Sequence, residues 1–495
     1  MRHVPRETRV SICFSLFLVC LILLTAVPAT PQSFSGRIVG IVSDKTGAVV
    51  PGASVEVKNE GTNSTRRLQT DSTGNYVFAE LPVGYYTVSI QAKDFSLFVR
   101  RGVKVDVAAD TRLDITLTPG SVEQTITITE ELPQIQRESG AISEVIGRRQ
   151  VEELPINGRD FRRLAFLVPG AVPRTPRGSF GSFSVNGQRE KSNVFLVDGV
   201  DNNDSFRSQP SFNQGGVLGA PATLFPVDAL SEFSIQSQPS AEYGRLSGSV
   251  LNIVIKSGTN ALHGSVYEFV RNEMFDAKNF FEAQNAAKQP IKNNNFGGVI
   301  GGPIIRDRTF FFAGYEGQRE RASSPFQIPI PSAADIAAAR ASNAAAGRPE
   351  NALSAKILAL YPAENNPGAA NNLIFAAPNK NDNDNFLAKI DHRINERLSL
   401  NGRYVFGQGS QFFPLSAGVF SRLPAYQTVV PTRVQLIGVN LSQVLTTRLV
   451  NETRLGYNRF KQCSTHSIKR SIPPASISSP GRSRCLIFRL LDTSR

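Results

Sequence analysis

The 495-residue chain has no tryptophan, two methionines, four histidines and four cysteines. The cysteines lie only near the ends, at Cys13, Cys20, Cys463 and Cys485, and none falls between Leu21 and Gln462. That absence excludes a disulfide framework and a thiolate metal site from the body. It suits an exported protein that avoids accidental cross-links. His3, His263, His392 and His466 are too scattered to build a zinc-ligand set, so no metal site is expected. Only one apolar run is long enough to cross a membrane as a helix, which excludes a polytopic helical transporter. Gly 39, Pro 30 and the lack of sustained heptads argue against a coiled coil or a helical bundle. No nucleophile–base pair, phosphate loop or carboxylate dyad stands out, so the chain reads as a non-enzyme without catalytic residues or cofactor.

Acidic residues are in deficit: Asp+Glu 41 against Lys+Arg 54 gives a net charge of +13. Much of that excess sits at the termini, with net +2 over residues 1–10 and net +5 over 462–495. The body has no basic stripe with interleaved aromatics, so nucleic acid is not expected as a partner. Hydrophobic residues at 41% and charged residues at 19% exclude wholesale disorder. The composition leans towards strands and turns, and the length suggests roughly three domains.

Arg2, Arg6 and Arg9 precede an apolar segment from Val10 to Val27, followed by small residues at Ala26 and Ala29. That order predicts a signal peptide over residues 1–29, the alternative being an uncleaved anchor. Val19 is too bulky to precede a lipoprotein cysteine at Cys20. Over 35–119, period-two apolar runs recur, as in Ile38-Val39-Gly40-Ile41-Val42, Ser54-Val55-Glu56-Val57, Tyr76-Val77-Phe78 and Tyr86-Thr87-Val88-Ser89-Ile90. Turn chemistry separates them at Asp44-Lys45-Thr46-Gly47, Pro51-Gly52, Asp71-Ser72-Thr73-Gly74 and Leu81-Pro82-Val83-Gly84. About seven short strands without a helical period predict a small β-sandwich. The spacing from Gly36 through Asp44, Pro51-Gly52-Ala53 and Gly74-Asn75-Tyr76 to Gly84-Tyr85-Tyr86 resembles the carboxypeptidase regulatory-like domain. That family is a non-catalytic sandwich, and the resemblance implies no peptidase.

Residues 120–258 carry a second set of signals. Gln124-Thr125-Ile126-Thr127-Ile128-Thr129 alternates Thr and Ile, and suits either addition to another protein's sheet edge or the next strand of a local sheet. Further on stand Asn157-Gly158-Arg159, Asn186-Gly187 and, after an apolar run, the strand-to-turn signal Asp198-Gly199. The acidic group Asp198, Asp201 and Asp204 lacks the glycine and distal glutamate of a calcium loop and reads as solvated turns. With Ala241-Glu242-Tyr243-Gly244-Arg245 and Ser247–Gly258, these residues resemble the plug domain of TonB-dependent outer-membrane receptors, in the Oar-like subgroup with an N-terminal regulatory-like sandwich. The resemblance implies a plug inside a barrel lumen. It also implies that 124–129 is a TonB box through which TonB and its inner-membrane energising complex displace the plug.

From 259 to 461 the alternation lengthens. Leu398, Leu400, Gly402, Tyr404 and Phe406 alternate with Ser399, Asn401, Arg403, Val405 and Gly407, and Leu449–Asn458 repeats the pattern. Segments of about ten residues with one apolar and one polar face fit transmembrane β-strands, and fit a water-soluble sandwich equally. The resemblance decides for a barrel, carried by Lys256-Ser257-Gly258-Thr259-Asn260, Asn295-Phe296-Gly297-Gly298 and Arg308-Thr309-Phe310-Phe311-Phe312-Ala313-Gly314-Tyr315. Without tryptophan, Phe and Tyr would form its interfacial belt. The Ala-rich stretch Ile336–Leu360 has helix propensity and is expected in an extracellular loop. About seven barrel strands are expected, against about 22 in receptors of this kind. Alternation stops after Phe460, so 462–495 is expected to be an aberrant or disordered tail of a chain truncated within its barrel.

The expectation is thus a mainly β protein: a sandwich, a plug and the first part of a transmembrane β-barrel in the outer membrane. Its parent function would be energy-coupled uptake of a large ligand such as a glycan or siderophore. The alternatives are an adhesion or carbohydrate-binding surface protein, or a non-functional remnant.

Overall fold

The structure is a computed structural model. It describes residues 35–120, 125–128, 142–154, 156–173, 183–214, 223–239, 243, 248–278, 288, 290–359, 361–413, 426–446, 449–468 and 484–494. The expected signal peptide lies outside these residues.

The first unit is a two-sheet sandwich. Its strands are β1 (Gly36–Asp44), β2 (Ser54–Asn59), β3 (Thr65–Gln69), β4 (Asn75–Leu81), β5 (Gly84–Gln91), β6 (Leu97–Val105), β7 (Asp110–Arg112), β8 (Ile115–Leu117) and β9 (Thr125–Ile128). One sheet runs β4-β1-β7 with β8 also on β1, and the other runs β3-β2-β5-β6-β9. Alternate residues of β1, β2 and β5 point inward, so Ile38, Val55, Val57, Val88 and Ile90 meet in one core. Each such side chain contributes about 1.5–3 kcal/mol by leaving water. The turns form as their sequences demand. Asp44 Oδ1 accepts from the amides of Thr46 and Ala48, and Asp71 Oδ1 from those of Thr73 and Asn75. Gly74 follows at φ +72, where a Cβ would stand 2.8 Å from the Val42 carbonyl oxygen, so only glycine fits.

The second unit is a five-stranded sheet in the order β10-β15-β16-β13-β14. Its strands are β10 (Ile142–Ile146), β13 (Val194–Val197), β14 (Val200–Asp201), β15 (Leu230–Gln238) and β16 (Val250–Ile255), with a separate ribbon of β11 (Ala171–Pro173) and β12 (Phe183–Val185). Helix α1 (Arg148–Glu153) and a 3-10 segment at Phe161–Leu167 pack beside it. Every residue of β16 is buried, as a strand covered on both faces must be.

What covers it is the third unit. This is an eight-stranded sheet in sequential order from β17 (His263–Asn272) through β18 (Ile291–Ile305), β19 (Thr309–Ile328), β20 (Leu373–Asn395), β21 (Leu398–Phe413), β22 (Tyr426–Val444) and β23 (Val450–Ile468) to β24 (Arg484–Ser494). All its ladders are antiparallel. Its concave face supplies Val299, Phe312, Leu387, Val405, Val434, Leu436 and Phe460 to the same core as Phe161, Phe225 and Phe233 of the second unit. On the convex face Ile300, Phe386, Ile390, Leu400, Ile437 and Leu455 are exposed. The alternation along β21 and β23 therefore separates an outer apolar face from an inner one, as a barrel wall in lipid requires. Helices α2 (Ala333–Ala345) and α3 (Ala352–Leu358) fall in the long connection between β19 and β20. The turns after β18, β20 and β22 are short, and the sandwich sits at that end: Asn63 Nδ2 donates to Asp307 Oδ1 at 3.0 Å, and the Asn260 amide to the Gly61 carbonyl at 2.9 Å.

The structure differs from the sequence reading at the tail. Strand β23 continues through Gln462 to Ile468, and Arg484–Ser494 adds an eighth strand, with Cys463 in register with Cys485. Cys463 is disulfide-bonded. The run Cys485-Leu486-Ile487-Phe488 has strand character, and an open sheet edge offers it backbone partners; the Ser/Pro/Arg composition around it masked that signal.

Candidate functional site: the seam between inner sheet and wall

Residues 157–159 form a 3-10 turn in which Gly158 (φ +71) and Arg159 (φ +50) are both left-handed. The turn aims the Arg159 side chain, 12% exposed, at the wall. There it pairs with Asp228 of the inner unit and approaches Glu316 of β19, Nε to Oε1 at 3.4 Å. Its guanidinium carbon lies 4.6 Å from the Tyr267 ring centroid and 4.4 Å from that of Phe269, both on β17. Tyr267 Oη donates to Glu316 Oε2 at 2.8 Å. One cation is thus held by two carboxylates and two ring faces, and spans inner sheet to wall.

Asp198-Gly199 makes the second anchor. Both residues are left-handed, at φ +45 and +76, and close a two-residue hairpin between β13 and β14 in which Val197 faces Val200. Asp198 Oδ1 accepts from the Ile255 amide at 2.9 Å. Its other oxygen faces Lys389 Nζ of β20 at 3.3 Å and Arg403 Nε of β21 at 3.7 Å. Arg403 Nη2 also donates to the Asp198 carbonyl at 2.7 Å, and Lys389 Nζ to the Ile255 carbonyl at 3.0 Å. All three charged side chains are almost wholly out of water. The reading of Asp198 and Asp204 as solvated turns is therefore corrected. Asp204 is also buried, its Oδ1 accepting from the Phe206 and Arg207 amides at 2.9 and 2.7 Å. Among the described residues no group of three His, Cys, Asp or Glu is placed to hold a metal.

Asn186-Gly187 stands elsewhere. Its left-handed pair (φ +51 and +75) is an exposed turn after β12 that returns the Asn186 amide to the Gly170 carbonyl at 3.0 Å. Thr125–Ile128 of the Thr/Ile segment is β9, running parallel to β6 with Thr125 opposite Leu97 and Ile128 opposite Arg100. Gln124 and Thr129 lie outside the described residues. Between the sandwich and the short-turn end lies a cavity of about 670 Å³, lined by Glu80, Tyr85, Lys104, Glu232, Asp391 and His392 among others.

The wall partners Glu316, Lys389 and Arg403 were not singled out in the sequence. The alternation of β21 does put Arg403 on the face opposite Leu400 and Tyr404, so a charge turned to the inner side was visible; its partner, 205 positions away, was not.

The carboxypeptidase regulatory-like domain matches residues 37–118, and the outer membrane β-barrel domain matches residues 254–483. The TonB-dependent transporter Oar of Myxococcus xanthus is 28% identical over 299 residues, covering 57% of this chain and 26% of that protein. The probable TonB-dependent siderophore receptor PirA of Acinetobacter baumannii is 25% identical over 190 residues, covering 37% and 23%. The chain thus spans about a quarter of the length of these curated relatives. Among solved structures, the outer membrane transporter YddB of Escherichia coli aligns with a TM-score of 0.44 at 13% identity, over 66% of this chain and 40% of that one. With its regulatory-like sandwich ahead of an outer membrane β-barrel domain, the chain is a protein of the outer membrane that is similar to TonB-dependent transporters and receptors.

Proposed function

We propose that the chain works in TonB-dependent uptake across the outer membrane, as a receptor rather than an enzyme, with residues 124–129 as the TonB box and 120–258 as the plug. Residues 1–29 would be the export signal and 35–119 a periplasmic sandwich. The observation that carries this reading is the seam: the inner sheet is joined to the wall by Arg159 and Asp198 as well as by apolar packing. Charged anchors of this kind are strong while paired, and once pulled apart each partner must find water or stay buried at a cost. Such a joint suits a plug that is firm at rest and displaced only by applied work. Transport by the named relatives supports the reading, and the siderophore of one relative's name exemplifies a ligand too large for porins. A glycan fits the same size class.

The test is calorimetric titration of a peptide spanning residues 121–133 into a TonB carboxy-terminal domain. Ile126→Pro is expected to weaken binding about tenfold or more, because proline removes a ladder donor and fixes φ. Thr129→Ser is expected to change little. Equal binding by the proline peptide removes the TonB-box assignment.

A further inference from the structure

The sheet β3-β2-β5-β6-β9 has two edges, and they are built differently. Edge strand β3 reads Thr65-Arg66-Arg67-Leu68-Gln69, with two adjacent arginines. Arg67 pairs with Glu56, and Arg66 Nη1 is tied to the Ala79 carbonyl at 2.6 Å. Charged residues on an edge discourage a further strand from adding. Edge strand β9 reads Thr125-Ile126-Thr127-Ile128: no charge, no proline, and a register on β6 that advances one residue at a time without a bulge. Among the described residues it is short, but it carries no charge, proline or bulge of the kind that blunts a sheet edge.

The chain is held against the sandwich as far as Gly120. The Ser96 amide donates to the Thr118 carbonyl at 3.0 Å, Phe95 bridges to Pro119, and the Gly120 amide reaches the Asp94 carbonyl at 3.3 Å. Asp94 itself is left-handed at φ +68. Five residues after Gly120, at Thr125, the chain is in register beside β6, so β9 is laid down as an extended strand on the sandwich itself.

We infer that the regulatory-like sandwich presents Thr125–Ile128 as a preformed docking edge, to which a strand of a TonB carboxy-terminal domain adds on the side away from β6. This rests on the TonB-box reading and goes beyond it: the sandwich becomes part of the coupling site. In a strand, successive residues direct their amide and carbonyl groups to opposite sides, so pairing with β6 occupies only one side of β9. Because the segment is ordered when the sandwich folds, the partner does not bear that cost on binding. Thr/Ile alternation without charge leaves recognition to backbone hydrogen bonds and to alternate side chains.

The test uses the full chain in detergent. Val99→Cys with Thr127→Cys places thiols at register partners, within the reach of a disulfide across adjacent strands. Oxidation is expected to form that bond, seen by mass mapping of the tryptic fragments. The locked chain is expected to bind a TonB carboxy-terminal domain within about twofold of the reduced chain. It should also bind roughly tenfold tighter than the free 121–133 peptide. Locking that lowers affinity tenfold would overturn the inference, since β9 would then have to leave β6 before engagement. Failure of the disulfide to form, with amides 125–128 of the unmodified chain exchanging as fast as those of the peptide, overturns it as well, while peptide binding keeps the TonB-box reading alive. If the disulfide forms but neither chain nor peptide binds, the TonB-box reading itself fails and the inference falls with it.

Discussion

A guanidinium almost out of water, as at Arg159, must be paired on every side that water has left. Here Asp228, Glu316 and the Tyr267 and Phe269 rings do this, and Tyr267 Oη also satisfies the carboxylate of Glu316. Arg159→Ala would leave Glu316, which is wholly buried, without its cation. The expected cost is about 3–5 kcal/mol, read as a lower melting temperature and faster proteolysis within 142–173. Adding Glu316→Gln should restore part of that loss, because an uncharged amide tolerates burial better than an orphaned carboxylate. If the double variant is as unstable as the sum of the singles, the two residues do not share one site.

Glu80 is one carboxyl whose burial makes its contact pH-dependent. It stands at the end of β4, on the seam between sandwich and wall. Burial, reinforced by the Glu452 carboxylate and opposed by Arg454, pushes its pKa up to about 7. A carboxyl whose folded pKa exceeds its unfolded one favours the folded state in its protonated form. Its contribution is therefore whole below the ordinary carboxylate range and is lost as pH rises through about 7. Across that window the loss is at most about 1.4 kcal/mol per pH unit. Melting of the chain is expected to fall from about pH 5 to about pH 8, and Glu80→Gln should flatten that fall. A variant with the same slope as the parent would assign the pH dependence to another group.

At the scale of elements, the sandwich is the most self-contained piece. Its core cluster lies wholly within 38–117, and Tyr76 Oη closes it internally by donating to the Leu113 carbonyl at 2.6 Å. Residues 33–119 expressed alone are expected to give a soluble all-β monomer that does not need metal. A helical circular dichroism spectrum, or a melting temperature that drops on chelation, would contradict this. Tyr76→Phe should cost about 1 kcal/mol in that fragment, since it leaves one buried carbonyl without its donor. The inner sheet behaves differently. Its core is continuous with the concave face of the wall through Val299, Phe312, Leu387 and Val405, so it has no comparable independence.

Much at this scale was legible in the sequence. The Asp-x-Thr-Gly turns, the period-two runs of the sandwich and the alternation of β21 each depend on neighbours a few residues apart, so the chain displays them directly. What failed to show was whatever rested on a distant partner. Asp198 looks like any turn aspartate. It is buried only because Lys389 and Arg403 arrive from strands about 200 positions later. The Thr/Ile segment reads as a strand, and nothing local says that it would lie parallel to Leu97–Arg100. The end of β23 was misjudged for the same reason: pairing with its neighbours, not composition, carries it to Ile468.

For the whole molecule, order along the chain becomes order in space. The sandwich stands at the short-turn end of the wall, the inner sheet lies within the wall's curve, and the helices α2 and α3 belong to the long connection between β19 and β20. The sequence by itself determined the class of each piece, because alternation and turn chemistry are local and survive without tertiary partners. It also determined which strand face would be apolar, since side chains alternate strictly along a strand. Tertiary structure alone decided which charges became anchors, which strand ended the sandwich's larger sheet and how far β23 ran. Those outcomes depend on desolvation and on backbone pairing between residues far apart, and neither exists until the sheets have closed over one another.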